Sequence, residues 1–266
     1  MSEAGEGPAL LFVHGAPGGH DLGVLLERHY DLSGYRLLCP SRPGYLRTPL
    51  AARASVIEQA DLLAALLDTL AIERAIVMAH STGAPIAVHF AVRHASRCLG
   101  LVLAAGVFRP LPAARATRFA LGFLAPLLQA AEIPSHASIW ILRRFGDAVA
   151  QLRKNRTVPL DLAALPVLTE SLLPASLRAK GLANDLRNLA SLERLPFRSV
   201  SCPSLITHGT WDLVVPVSNS RYAAREIPRA RLELVRRGHH YAFYVPRGGQ
   251  RRGTLDFLAS CCSQSD

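Results

Sequence analysis

The chain has 266 residues, a formal net charge of +10 and a composition that is half hydrophobic. That length suits one α/β domain with an insertion, and the composition excludes a disorder-dominated chain. The charge does not signal a nucleic-acid partner, because Lys154 and Lys180 are the only lysines and the arginines are scattered rather than gathered on one stripe.

The opening residues are acidic and lack the basic flank of a signal peptide. Residues 9–13 form an unbroken apolar run, the pattern of a strand buried on both faces. A helix is expected over 20–30, a strand over 35–39, and a loop over 40–49, where prolines and a glycine break either period. Val56, Leu63, Leu66, Leu67 and Leu70 recur at helical spacing, so 55–70 reads as an amphipathic helix. A strand over 74–79, a helix over 82–94 and a strand over 99–105 follow. Such alternation specifies a mostly parallel sheet with flanking helices.

From 107 to 200 the rhythm stops, and proline-punctuated helical runs replace it. The strands return at 204–207 and 231–235, with helices near 218–226 and before the C-terminus. The chain therefore divides into a core, 1–106 with 201–266, and a helical cap insertion, 107–200, expected over the carboxyl ends of the strands. Its longest apolar stretch, 119–131, is interrupted by Gly122, Pro126 and Gln129 and is too short to span a bilayer. The five cysteines lack metal-ligand spacing. Cys39 and Cys98 suit buried strands, while Cys261 and Cys262 read as tail thiols. No metal or cofactor is expected, and a reduced, cytoplasmic setting is.

Chemistry concentrates where the 74–79 strand meets the next helix, at Ala79-His80-Ser81-Thr82-Gly83. A serine on a sharp strand-to-helix turn projects its hydroxyl above the sheet, and small neighbours two residues either side permit the turn. An activated serine needs a histidine base and an orienting carboxylate. Asp212 lies in a loop just past a strand, in Gly209-Thr-Trp-Asp-Leu-Val-Val-Pro216, and His239 and His240 follow the last strand.

These segments resemble the α/β-hydrolase fold superfamily, in its serine-nucleophile branch with a helical cap. The pentapeptide is similar to the G-x-S-x-G elbow, with Ala79 for the first glycine. His14-Gly-Ala-Pro-Gly18 resembles the family's H-G-x-P-G string, and Ser41-Arg-Pro-Gly-Tyr-Leu-Arg-Thr48 its D-R-P-G-x-G-x-S loop, with Ser41 and Leu46 as departures. Gly238 immediately before His239 and Pro246 seven residues after it fit the family's base, which makes His239 the expected base and His240 the alternative. The resemblance implies a catalytic set of Ser81, Asp212 and His239, with oxyanion donors at the Ala16 and Thr82 N–H groups. It also implies two antiparallel strands ahead of residue 9, but only about eight residues precede that strand, so these edge strands are expected to be missing.

The implied activity is hydrolysis of a carboxylic ester, thioester or lactone of a small, largely apolar substrate through an acyl-enzyme. Carbon–carbon bond hydrolysis or a lyase reaction on the same residues is the alternative, and a ligand-binding relative without turnover is another. Epoxide hydrolases and dehalogenases of the fold use an aspartate at the elbow, which here holds Ser81. Phe119, Phe123, Leu124, Leu127 and Leu128 suggest an apolar pocket, and Arg143 or Arg144 a partner for a substrate carboxylate.

Overall fold

The apolar runs that begin at Ala9 and Ala75 lie side by side as the parallel centre of a sheet, every residue of both strands buried. The computed structural model describes residues 1–51, 54–110, 174–246 and 248–263. Among them, β1 (Ser2–Ala4), β2 (Ala9–Val13), β3 (Arg36–Cys39), β4 (Ala75–His80), β5 (Cys98–Ala104), β6 (Ser204–Gly209) and β7 (Ala230–Val235) form one sheet in the order β1-β3-β2-β4-β5-β6-β7. All neighbours are parallel except β1 and β3.

Side chains alternate across the sheet with period two, so each strand feeds two cores. Leu11 and Val13 face one layer, with Leu63 and Leu67 of α2 (Val56–Thr69) and Ile86 and Phe90 of α3 (Ala84–Arg93). Leu10 and Phe12 face the other, with Leu22, Leu25 and Leu26 of α1 (Leu22–His29). α4 (Ala179–Ala190) and α5 (Ser218–Glu226) add to the first layer through Leu189 and Ala223, and α6 (Gly248–Cys262) adds to the second through Phe257 and Leu258. Ser55 caps α2 with a capping box, its hydroxyl accepting from Glu58 N and the Glu58 carboxylate from Ser55 N.

The structure departs from two expectations. The N-terminal segment does supply an edge strand, because Ser2–Ala4 is long enough to hydrogen-bond antiparallel to Leu37–Cys39. Cys261 is no tail thiol: α6 continues through it, and Thr254, Phe257, Leu258 and Cys261 share its buried face, with Cys261 packed against Gly100. Of the expected insertion, residues 111–173 lie outside the described residues, and with them the phenylalanines and leucines of 119–128, Arg143, Arg144 and Lys154.

Leu103 is fully buried near the carboxyl end of β5, whereas Leu62 on α2 is 54% exposed. Leu103→Ala is expected to cost about 2–5 kcal/mol of stability. Leu62→Ala should stay within about 0.5 kcal/mol, both read from urea unfolding midpoints.

Candidate active site

β4 runs straight into a turn in which Ser81 adopts φ +52°, followed by a short 3-10 segment, Ser81–Gly83, and α3. A left-handed serine is strained by about 1–2 kcal/mol, and the surrounding packing fixes it there. A Cβ on Gly83 would sit 2.4 Å from Val13 O and 2.7 Å from His14 O, so only glycine lets α3 start this close to the end of β2. The turn leaves Ser81 3% exposed at the carboxyl end of the central strand.

Asp212 follows β6, and its carboxylate is wrapped by donors. Oδ1 accepts from Val214 N and Val215 N, both at 2.8 Å. Oδ2 lies 2.7 Å from His240 Nδ1 and 3.1 Å from His208 Nε2. Burial alone would raise this carboxyl's pKa, but the imidazoles of His240 and His208 outweigh it and hold the group well below the usual carboxylate range. Since the carboxylate only accepts, His240 Nδ1 carries a hydrogen, which leaves Nε2 of the neutral ring as an acceptor. That Nε2 lies 3.0 Å from Ser81 Oγ, whose hydroxyl donates to it. Asp212, His240 and Ser81 thus form one hydrogen-bonded line.

The histidine in that line is His240, not His239 as the sequence pattern implied. β7 ends at Val235, Arg237 turns the chain at φ +57°, and Gly238 is pinned by Trp211 N donating to its carbonyl at 2.9 Å. A Cβ on Gly209 would meet Gly238 O at 2.2 Å, so the two loops touch backbone to backbone. With Gly238 held there, His239 points outward and packs beside the Trp211 ring, its centroid 6.0 Å away. The next residue turns inward and is buried. Ser81 and Asp212 stand where the sequence placed them.

Ala16 and Thr82 both lie beside the serine. Thr82 is next in the chain, and Ala16 follows Gly15, where a Cβ would come within 2.9 Å of Ser81 Cβ. His14 is neutral, because Nε2 accepts from Arg42 N at 3.0 Å while Nδ1 donates to Gly15 O at 2.7 Å. Burial, then the Arg42 charge, lower its pKa well below 6.5. His80 donates from Nε2 to His240 O at 3.0 Å, and burial, then His240, lower its pKa to about 3. Neither ring takes a place in the serine line; both hold backbone around it.

Sequence reasoning missed a second polar cluster. Asp185, on α4, receives Arg42 through both guanidinium arms, at 2.8 Å to Oδ1 and 2.5 Å to Oδ2, with Tyr45 Oη donating at 2.6 Å. Thr82 Oγ1 donates to the same carboxylate at 3.0 Å. Arg42 came within the recognised 41–48 loop, but an acid in Ala183-Asn-Asp-Leu186 carries no signal that it faces inward. His208 was likewise unremarked, although its position beside Gly209 puts it on Asp212. Among the described residues no His, Cys, Asp and Glu cluster suited to a metal occurs, and no helix is long and apolar enough to cross a membrane.

The family described as alpha/beta hydrolase fold matches residues 8–246. An uncharacterised hydrolase, YcgS, of Bacillus subtilis is 27% identical over 260 residues, covering 90% of this chain and 87% of that one. The 2-hydroxymuconate semialdehyde hydrolase of Pseudomonas putida is 25% identical over 247 residues, covering 91% and 83%. Among solved structures, an alpha/beta hydrolase fold protein from Nakamurella multipartita superposes with a TM-score of 0.71 at 28% identity, covering 97% of this chain and 94% of that one.

Because His80 is neutral when folded and has a pKa of about 3 there, the unfolded chain binds the extra proton at this group between that pH and its ordinary value near 6.5. Stability should fall as pH drops through this window, by up to about 1.4 kcal/mol per pH unit for each such buried histidine. Urea midpoints from pH 4 to 7 should show His80→Gln flattening the slope by about one proton; an unchanged slope would mean His80 titrates normally when folded.

Proposed function

This chain belongs to the α/β-hydrolase fold family, and from that premise we propose that it is a serine hydrolase working through an acyl-enzyme, with Ser81 as nucleophile, His240 as base and Asp212 as orienting acid. The observation that carries this reading is the continuous hydrogen-bonded line from Asp212 Oδ2 through His240 to Ser81 Oγ, at 2.7 and 3.0 Å. In this role Ser81 Oγ attacks a carbonyl carbon while His240 Nε2 takes its proton. Asp212 keeps the hydrogen of the neutral ring on Nδ1 and stabilises the imidazolium. The Ala16 and Thr82 N–H groups receive the oxyanion, each contributing roughly 3 kcal/mol in a dry site. His240 then hands the proton to the leaving group, and water, activated by the same nitrogen, releases the acyl product.

A carboxylic ester, thioester or lactone of a small, largely apolar acid is the substrate class that asks least beyond this machinery. Hydrolysis of a carbon–carbon bond next to a carbonyl is the second reading, favoured by likeness to the Pseudomonas putida 2-hydroxymuconate semialdehyde hydrolase over 91% of this chain. A ligand-binding role without turnover is disfavoured by the unbroken serine line.

Turnover of p-nitrophenyl esters of increasing chain length, and of 2-hydroxymuconate semialdehyde in parallel, separates the two readings by which substrate gives the larger kcat/KM. With the better substrate, His240→Gln should lower kcat by roughly 10⁴ or more, whereas His239→Gln should change it by less than about threefold, a surface effect. Equal losses would contradict the choice of base.

A further inference from the structure

A buried ion pair is a poor way to gain stability, because two charges must be stripped of water and an apolar pair of the same size often does as well. Arg42 is 3% exposed and Asp185 is 4% exposed, and the pair sits beside the serine turn rather than in a remote part of the core. Its contacts explain the location. Arg42 Nη2 donates to Thr82 Oγ1 at 3.0 Å and to Gly15 O at 3.3 Å, while Asp185 Oδ2 accepts from the Thr82 hydroxyl at 3.0 Å and from Tyr45 at 2.6 Å. Gln59 on α2 supplies another acceptor to Arg42 Nη1 at 3.2 Å.

Three of these contacts, to Gly15 O and twice to the Thr82 hydroxyl, reach a residue that carries, or adjoins, a proposed oxyanion donor. The Gly15–Ala16 peptide is trans, so the Gly15 carbonyl and the Ala16 N–H point to opposite sides of one plane. Arg42 and His14 Nδ1 both hold that carbonyl, which fixes the direction of the Ala16 N–H away from them and polarises it. Thr82 is held through its side chain by both members of the pair, and its own N–H is the second donor.

We propose that the Arg42–Asp185 pair is a positioning device for the oxyanion site, clamping the Gly15–Ala16 peptide and Thr82 so that their N–H groups are set before substrate arrives. This rests on the serine-hydrolase reading above. Arg42 and Asp185 are positioning residues, since neither touches the reacting atoms. The pair also ties the site to α4, the described end of the insertion, through a single carboxylate.

Oxyanion donors act chiefly on the transition state, and loss of one costs about 10²–10³ in kcat. Loosening a donor without removing it should cost less, roughly 10- to 100-fold, and should leave KM nearly unchanged. The test compares wild type, Thr82→Val, Thr82→Ser and Asp185→Asn in p-nitrophenyl butyrate hydrolysis and in binding of butylboronic acid by calorimetry, with thermal melts to confirm folding. Thr82→Val keeps the backbone N–H and the volume but removes the hydroxyl that the pair holds. The expected result is a fall in kcat of about tenfold or more, KM within twofold, and a parallel loss of boronate affinity, with Thr82→Ser losing less than Thr82→Val. Asp185→Asn should lose at least as much; if it does not fold, the Thr82 comparison carries the test alone. A folded Thr82→Val with wild-type kcat and boronate affinity, or a loss confined to KM, would overturn the proposal while leaving the hydrolase reading intact. A wild type that neither turns over the ester nor binds the boronate would overturn both.

Discussion

A carboxylate taken out of water costs several kcal/mol unless its lone pairs are filled, and Asp212 is the group that the candidate site depends on. It is met by two backbone N–H groups of its own loop and by two imidazoles, His208 and His240. The backbone donors come without side-chain rearrangement, because residues 212–215 form a turn whose N–H groups converge on Oδ1. His208 is held in turn by Ser220 Oγ at 2.7 Å from its Nδ1, and Val215 O lies 3.0 Å from its Nε2. With three donors fixed by the loop and by β6, the remaining approach to Oδ2 is taken by His240. The orientation of its ring, and hence the nitrogen offered to Ser81, follows from that carboxylate.

The sheet converts this local chemistry into a site. Parallel strands end at one edge, so β2, β4 and β6, with the loop after β7, deliver Gly15, Ser81, Asp212 and His240 to the same place. Close backbone approaches then remove slack, with Gly83 against the end of β2 and Gly209 against Gly238. The Arg42–Asp185 pair joins the loop after β3, α2 and α4 to Gly15 and Thr82 beside the serine turn. Two of the chain's arginines, Arg42 and Arg178, are therefore not solvated charge at all. Each is buried against a carboxylate, Arg178 against Asp21.

Most of the fold was legible because its signals are local and redundant. The apolar run at Ala9–Val13 falls on β2 without adjustment, and the helices over 55–70 and 218–226 differ from expectation by a residue at most, within the fraying of helix ends. Ser81 and Asp212 were readable because a strand and its following turn constrain them. The histidine was not, since a one-residue choice between His239 and His240 turns on where Gly238 is pinned, a contact with β6 and Trp211 that spans nearly thirty positions in the chain. Asp185 was hidden for a similar reason: its partners Arg42 and Tyr45 lie about 140 residues earlier, and only packing brings them together. The edge strand at Ser2–Ala4 was missed because three residues are too few to show a period.

An activated Ser81 attacks electrophilic phosphorus, and covalent labelling reads that reactivity at a single residue. The folded protein would be treated with a fluorophosphonate, digested, and mapped by mass spectrometry beside Ser81→Ala. A single phosphonylated peptide carrying the mass on Ser81, absent from the variant, is the expected result. Unlabelled wild type that melts cooperatively, or label on a serine other than Ser81, would contradict the account and move a binding role without turnover to the front.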